Sequence, residues 1–305
     1  MRSSTCRTAQ QAIPTRSDII DEELHDHDRG LGFDLSMLIA RRRLLTLFAG
    51  TGVAALIASC GSGSTSSATT AAASANTAAT PVASTTAAAA ATSSGSALEV
   101  IPEETAGPYP GDGSNGVDVL SKTGIVRSDI RSSFGSSTTT APGLPSTISL
   151  TLVDVNGGAP MPGAAVYLWH CDAEGRYSLY SQGVTNENYL RGVQEADSNG
   201  TVTFTTIFPA CYSGRWPHIH YEVYPSLADA ATASNKMATS QLALTKEASA
   251  AVYASDLYPQ STQNLAQVSL ATDNVFSDGA ALETPAITGS VADGYTIALT
   301  AAIAA

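Results

Sequence analysis

The sequence predicts an all-β fold, in which residues 98–305 form a single β-sandwich domain with long loops. Short runs in this region alternate between apolar and polar side chains, which is the period of a half-buried strand. Turn dipeptides such as Asn199-Gly200 separate the runs. No amphipathic helix of convincing length competes with them. Seven or so short strands separated by such turns are typical of a β-sandwich.

The predicted strands can be placed in chain order. The clearest ones carry hydrophobic residues at every second position, and they run from Ile148 to Leu152, from Val166 to Leu168 and from Val202 to Phe204. Further candidates run from Ile219 to Tyr224, from Ser240 to Leu244, from Ala266 to Leu270 and from Tyr295 to Ile303. Between Leu227 and Ala238 the pattern predicts a short helix at most.

The charge of the chain is concentrated in the predicted domain. The whole sequence is 43% hydrophobic and 14% charged, which is ordinary for a globular protein and excludes little. Residues 1–59 hold 7 of the 15 Lys and Arg and 7 of the 27 Asp and Glu, which leaves 8 basic and 20 acidic residues after them. An acidic body repels nucleic acid and offers no basic patch to an anionic membrane. We therefore expect no nucleic-acid partner.

Residues 1–59 have the pattern of an export signal. Three arginines, Arg41 to Arg43, stand before an apolar run from Leu44 to Ser59 that is shorter than the roughly 20 residues of a bilayer span. This arrangement resembles a twin-arginine signal, and the run from Ile57 to Cys60 resembles a bacterial lipobox. The resemblance implies that Cys60 is lipidated and anchors an exported protein in the cell envelope or outside the cell. A buried helix is the alternative, and it fits the flanking residues less well.

The segments on either side of the apolar run are polar. The residues before Met37 form an acidic segment that is unusually long for the start of a signal, so translation could begin at Met1 or at Met37. Residues 60–97 are almost entirely Ser, Thr, Ala and Gly. Such a composition cannot bury enough apolar surface to offset its ordering entropy. We predict a flexible linker between the lipid and the domain.

A candidate metal site begins with the pair His218 and His220, two of the three histidines beyond residue 59. Residues i and i+2 of a strand point to the same face, so both imidazoles could bind one metal ion. An isolated pair of this kind is more often a surface or hydrogen-bonded pair. Tyr177 and Tyr212 would each ordinarily be half-buried aromatic residues with solvated hydroxyls. Only the joint pattern of these four residues indicates a site.

Four stretches together resemble the intradiol ring-cleavage dioxygenases, the family of protocatechuate 3,4-dioxygenase and catechol 1,2-dioxygenase. They are Glu104 to Tyr109, Pro162 to Trp169, Gly175 to Tyr177 and Tyr212 to His220. In that family a Gly-x-Tyr loop supplies one phenolate, and a second tyrosine precedes an Arg-x-x-His-x-His motif. The resemblance implies an iron(III) ion whose ligands are Tyr177, Tyr212, His218 and His220.

The residue types suit that chemistry. Phenolate is a hard, strongly donating anion that favours iron(III), and the bound ion keeps each tyrosine deprotonated far below its free pKa of about 10. The resemblance implies that a catechol-type aromatic diol and O2 are the substrates and that a cis,cis-muconate type diacid is the product. It assigns Tyr212 the phenolate that leaves the iron and takes a substrate proton. It also implies that Arg215 stabilises negative charge on the substrate ring and that Gln241 lies beside this arginine.

Several further side chains could form the walls of the pocket. Tyr109 and Trp216 could line it or serve only in packing. In the loop between the two tyrosine ligands, Tyr180, Tyr189 and Arg191 could also take part. The spacer from Ser213 to Pro217 is shorter than in the protocatechuate enzymes, so the substrate mouth is expected to differ. The particular diol and the oligomeric state stay open, and a homo-oligomer is compatible with the sequence.

Two cysteines lie near the proposed tyrosine ligands. Cys171 precedes Tyr177 by a few residues, and Cys211 directly precedes Tyr212. An exported protein meets an oxidising compartment, so we predict a Cys171–Cys211 disulfide that clamps the two ligand loops together. Metal binding by a cysteine together with His170 is the rival interpretation. Two other functions also stay open, a non-enzymatic surface binding module on the same sandwich and a zinc or copper protein.

Overall fold

The computed structural model describes residues 98–305, which form the predicted sandwich of two β-sheets. The predicted export signal (1–59) and linker (60–97) lie outside the described residues, so both remain predictions. The all-β fold class is confirmed. No helix of the described part is long and apolar enough to cross a membrane.

The secondary structure of the described residues consists of eight strands, two short α-helices and three 3-10 turns. The strands are β1 (Pro145–Asp154), β2 (Ala165–Trp169), β3 (Arg191–Glu195), β4 (Thr201–Ile207), β5 (His218–Tyr224), β6 (Ala238–Ala243), β7 (Ala286–Ser290) and β8 (Gly294–Ile303). The helices are α1 (Lys246–Tyr253) and α2 (Ser261–Leu265), and the 3-10 turns are Asp229–Ala231, Ala233–Asn235 and Phe276–Asp278.

The first sheet has the strand order β4-β1-β8-β7 and carries the alternation that the sequence predicted. Its central strand β1 pairs antiparallel with β4 and parallel with β8. Ile148, Leu150 and Leu152 of β1 are fully buried, while the residues between them are half-exposed. One face of this sheet therefore contributes to the hydrophobic core.

The second sheet has the order β3-β2-β5-β6, is antiparallel throughout, and is covered on both faces. Every residue of β2, β5 and β6 is buried. The segment that contains Glu104, Tyr109 and Pro110 covers one face. Arg191 of β3 donates hydrogen bonds to the carbonyls of Tyr109 and Pro110, and the Glu104 amide donates to the Thr239 carbonyl of β6. Polar residues on this face are therefore enclosed between sheet and loops, and the candidate site lies there.

Several segments differ from the sequence analysis or were left unassigned by it. The segment from Ala266 to Leu270 is no strand, because its amides bond locally, as Ala266 does to the Thr262 carbonyl at the end of α2. The stretch from Leu227 to Ala238 holds two 3-10 turns, and its last residue begins β6. The helix α1 was not predicted. Its eight residues are rich in alanine and bury Val252 and Tyr253, which is too short a pattern to stand out from a single sequence.

Candidate metal centre and active site

Four side-chain donor atoms meet at one point on the enclosed face of the second sheet. The His218 Nε2 atom lies 3.2 Å from the Tyr177 hydroxyl oxygen, 3.2 Å from the Tyr212 hydroxyl oxygen and 3.1 Å from the His220 Nε2 atom. Tyr177, His218 and His220 are buried, and Tyr212 is half-exposed. The structure thus brings together all four residues that the sequence proposed as ligands.

Strand β5 aims the two imidazoles at this point, because His218 and His220 alternate with Ile219 and so share a face. The His218 Nδ1–H donates to the Trp216 carbonyl at 2.6 Å, which leaves the Nε2 lone pair for a ligand. The His220 ring stacks on Trp169, with centroids 4.9 Å apart and planes 3° from parallel. Its Nδ1 has no partner with hydrogen-bond geometry among the described residues.

Tyr177 is positioned by a tight loop that the buried Asp172 organises. The Asp172 carboxylate accepts hydrogen bonds from the backbone amides of Glu174 and Arg176 and from the Arg176 side chain, each at 2.9 Å. An aspartate at the first position of a turn with glycine at the fourth is a recognised turn signal. The role of Asp172, followed by Gly175, could therefore have been found in the sequence.

Tyr212 comes from the connection between β4 and β5, and helix α2 holds that connection. The Ser261 hydroxyl accepts from the Cys211 amide at 3.0 Å, and the Asn264 side chain donates to the Cys211 carbonyl at 2.9 Å. Tyr212 lines a neighbouring cavity of about 360 Å³, whose polar wall includes Arg176. Tyr212 therefore has space beside it.

The two tyrosine loops touch at Gly175. This residue has φ +86°, and a Cβ atom added there would lie 3.0 Å from the Tyr212 Cβ. We expect Gly175→Ala to cost about 1–2 kcal/mol in backbone strain and also to displace Tyr212, which weakens metal binding.

The matched control is Gly183→Ala, because Gly183 has φ +82° and nothing within 4 Å of an added Cβ. Urea unfolding of both variants should show similar losses of stability, while a metal-ion titration should show weaker binding for Gly175→Ala alone. Equal metal affinity in the two variants would contradict the contact.

The pKa shifts of Tyr177, His218 and His220 suit the binding of a cation. Burial, and after it the charge of Arg215, hold the pKa of His218 well below its usual value. Burial and the neighbouring His218 have the same effect on the pKa of His220. Burial raises the pKa of Tyr177 well above its usual value, and the adjacent Tyr212 raises it further. The imidazoles are therefore neutral, the form that binds metals, while Tyr177 ionises only if a cation replaces its proton.

The donor set fits a single transition-metal ion. Nitrogen and oxygen ligands lie about 2.0–2.2 Å from a first-row metal such as zinc, so two such ligands are about 3 Å apart or slightly more. The separations from the His218 Nε2 atom have this size. Within residues 98–305 no group of three or more His, Cys, Asp or Glu side chains could hold a metal ion. The candidate centre is distinct from such groups because half of its donors are phenols.

Arg215 and Gln241 lie together beside the donors, as the resemblance implied. The Arg215 Nη2 atom donates to the Gln241 side-chain oxygen at 2.8 Å, and the Gln241 amide donates to the Thr105 carbonyl at 2.8 Å. Burial tends to lower the pKa of Arg215, but Tyr212 and then Asp273 outweigh it and raise that pKa. A buried, permanently charged guanidinium therefore faces the tyrosine donors.

Asp273 is a functional candidate that the sequence did not reveal. Its buried carboxylate forms an ion pair with Arg215, with 3.0 Å between the Oδ2 atom and the Arg215 Nε atom. The two residues are 58 positions apart, and Asp273 lies in a loop that no motif marks. Only the folded chain places them together.

The other proposed pocket residues divide into three groups. The Tyr109 ring lies 5.0 Å from the Tyr177 ring and 5.3 Å from the Tyr180 ring, so these tyrosines form a wall beside the donors. Trp216 is buried with its indole N–H bonded to the Leu244 carbonyl, which is a packing role. The remaining two serve as braces: Tyr189 donates to Asp172, and Arg191 ties Ser178 to the segment at Tyr109.

The predicted Cys171–Cys211 disulfide is wrong, because both residues are free, buried cysteines. Each thiol donates to the backbone carbonyl of another residue. Cys171 donates to Ala210 at 3.6 Å, and Cys211 donates to Arg215 at 3.4 Å. The ligand loops are joined instead by the backbone, where the Ala210 amide bonds to the Asp172 carbonyl. Binding of a metal by His170 is not supported either, since both ring nitrogens of His170 are hydrogen-bonded, to Cys171 and Thr206.

The two thiols should be unreactive in the folded protein. Burial raises the pKa of Cys211 to about 12 and raises the pKa of Cys171 even further, so neither forms the nucleophilic thiolate near pH 8. We expect a domain of residues 98–305 to take up no iodoacetamide when folded and two equivalents after denaturation without reductant. Uptake that requires a reductant would contradict the free thiols.

Comparison with known proteins agrees with the site. The family model described as Dioxygenase matches residues 127–231, which include all four donors and Arg215. Catechol 1,2-dioxygenase from Pseudomonas sp. (strain EST1001) is 38% identical over 55 residues, 18% of this chain and 18% of that protein. The match thus spans less than a fifth of this curated relative.

Solved structures extend the similarity over the whole described domain. An intradiol ring-cleavage dioxygenase from Tetranychus urticae superposes with a TM-score of 0.55 at 27% identity, covering 68% of this chain and 95% of that one. A second solved dioxygenase gives a TM-score of 0.54, also at 27% identity, and covers 68% of this chain and 94% of that one.

The fold and the site define a β-sandwich protein with a buried two-tyrosine, two-histidine donor set. Residues 127–231 match the dioxygenase family model, and the described domain is similar in sequence and fold to intradiol ring-cleavage dioxygenases. This similarity does not favour the alternative of a non-enzymatic binding module.

Proposed function

We propose that the protein is an iron(III)-dependent intradiol dioxygenase, which cleaves a catechol-type aromatic diol with O2 to a cis,cis-muconate type product. The convergence of Tyr177, Tyr212, His218 and His220 on one point carries this proposal. The similarity to intradiol ring-cleavage dioxygenases supports the reaction class. In the balanced reaction the bond between the two hydroxylated carbons breaks, and both atoms of O2 end up in the two new carboxyl groups.

The donor set favours iron(III) over zinc or copper. Two neutral imidazoles and two phenols that can become phenolates supply hard, anionic oxygen donors. When bound, iron(III) would supply the Lewis acidity that activates the diol towards O2. Tyr177 is buried and is suited to remain a permanent ligand, whereas Tyr212 is half-exposed.

The chain's own residues would handle the substrate's protons and charge. Tyr212 lines a free cavity, so its side chain has room to move aside and accept a proton from the diol. Arg215 holds a positive charge next to the tyrosine donors, where negative charge would develop on the substrate ring. Gln241 orients that guanidinium through its side-chain oxygen.

Iron loading followed by optical spectroscopy tests the proposal. The purified protein should bind one iron(III) ion with visible phenolate-to-iron absorption that shifts when catechol is added without O2. Oxygen uptake across a panel of catechol, protocatechuate and hydroxyquinol should then identify the diol. A colourless protein that consumes no oxygen with any diol after iron loading would refute the proposal.

We also infer that the enzyme works outside the cytoplasm on a lipid anchor at Cys60. The arginine run before Leu44 and the small residues before Cys60 support this location. In a bacterial host the full chain should partition with membranes, and Cys60→Ala should release it into the soluble exported fraction. Equal membrane partitioning of both proteins would contradict the anchor.

A further inference from the structure

Asp273 holds its carboxylate in the protein interior with both oxygens hydrogen-bonded. The Oδ1 atom accepts from the Val275 amide at 2.9 Å and from the Phe276 amide at 3.1 Å, so this half of the carboxylate shapes its own turn. The Oδ2 atom accepts from the Arg215 Nε at 3.0 Å and from the Trp216 amide at 2.6 Å. One oxygen of Asp273 therefore reaches back to the segment that precedes β5.

The first of these contacts sets the plane of the Arg215 guanidinium. With Nε bonded to Asp273 and Nη2 bonded to Gln241, two of its three nitrogens are held. Neither contact uses the third nitrogen, Nη1, which leaves its N–H groups for a ligand. A planar guanidinium held at two of its nitrogens has a single orientation. A guanidinium held at one nitrogen could still rotate.

The second contact acts on a metal donor. The Trp216 peptide donates its N–H to Asp273, and the Trp216 carbonyl accepts from the His218 Nδ1 atom. Asp273 is thus two hydrogen bonds away from the His218 ring, which contacts each of the other three donors. Partners at this distance orient a ligand and determine which ring nitrogen carries the proton.

A carboxylate is the group that this position requires. Arg215 is only 7% exposed, and a buried charge without a partner is strongly unfavourable. Within residues 98–305 Asp273 is the acidic side chain that forms a salt bridge with Arg215. An amide of the same shape would place an N–H group against one of the N–H donors that now surround the carboxylate.

We propose that Asp273 is a positioning residue for ring cleavage: it fixes the Arg215 guanidinium and the peptide that orients His218, so that the free Nη1 faces the diol. This inference rests on the proposed dioxygenase function. It lies beyond the matched family region, which ends at residue 231.

A double-mutant cycle tests the proposal in the iron-loaded full chain, with Asp273→Asn, Arg215→Gln and the double variant. In the wild-type background Asp273→Asn should lower kcat about 10- to 100-fold with a smaller change in KM. In the Arg215→Gln background the same substitution should cost only about twofold, because residues that act through one another are not additive. Phenolate-to-iron absorption should persist in all variants.

A second readout does not depend on turnover. Without O2, 4-nitrocatechol should bind more weakly to Asp273→Asn than to the wild type, and the two Arg215→Gln proteins should bind it equally. The control is Asp197→Asn, since Asp197 also accepts two backbone amides, of Asn199 and Thr201, but lies on the exposed β3–β4 turn. It should leave kcat and analogue binding unchanged.

Three outcomes would overturn the inference. If Asp273→Asn costs the same factor in both backgrounds while the wild type is active, Asp273 does not act through Arg215. If neither Asp273→Asn nor the smaller Asp273→Ser folds in either background, Asp273 is a folding residue. A wild-type protein that turns over no diol would contradict both this inference and the proposed function.

Discussion

Replacing His218 by alanine is expected to abolish stable iron binding and to lower ring cleavage at least about 1,000-fold, well beyond the 10- to 100-fold typical of residues outside the ligand shell. The reason is geometric. Its Nε2 atom lies within 3.2 Å of the other three donor atoms, so its loss removes a donor that is in contact with the whole set. Three donors would remain for an ion that the proposed set binds with four.

Metal analysis and visible absorption measure this effect directly. The alanine variant should bind far less than one iron ion per chain and should lack phenolate-to-iron absorption. The matched control is His170→Gln, because His170 is equally buried but bonds to Cys171 and Thr206. It should lose stability and keep its iron. A His218→Ala protein with a full iron complement and normal absorption would disprove the proposed ligand set.

Replacing Arg215 by glutamine is expected to lower kcat about 100- to 1,000-fold, the usual cost of removing a group that stabilises charge in the transition state. Burial tends to lower the pKa of this guanidinium, but Tyr212, Asp273 and Tyr177 raise it, so Arg215 stays charged. It therefore supplies a positive charge beside the tyrosine donors that would bind the diol's metal ion. The variant should keep its iron, since Arg215 is not a donor.

Steady-state oxygen consumption, combined with absorption spectra, separates these effects. Arg215→Lys should recover only part of the lost rate, because an ammonium group cannot bond to Asp273 and Gln241 in the same forked geometry. Arg131→Gln provides the control, since Arg131 forms a partly exposed ion pair with Asp129. This substitution should leave kcat unchanged. An unchanged kcat in Arg215→Gln would show that Arg215 takes no part in the reaction.

Most strands of the sandwich could be predicted because strand periodicity is a local property. Strands β1, β2, β4, β5, β6 and β8 all fall on segments whose alternation or residue types marked them in advance. The failures have equally physical causes. Strand β3 begins with the buried Arg191, and β7 is an exposed strand of five residues with little apolar content, so neither has a clear pattern.

The site was only partly accessible from sequence. The order of Tyr177, Tyr212, Arg215 and the histidine pair resembles a family pattern, and the structure places all of them together. The disulfide prediction failed because proximity to the ligand loops and an oxidising compartment do not determine where two thiols point. Each thiol bonds to a different carbonyl instead.

The sequence by itself determined which residue types could bind a metal and that His218 and His220 share a strand face, because spacing within one strand is fixed by backbone geometry. Tertiary structure alone decided that two loop tyrosines reach that face and that Asp273 pairs with an arginine 58 residues away. Such contacts depend on how strands and loops pack across the whole domain, and no local pattern of residues encodes that packing.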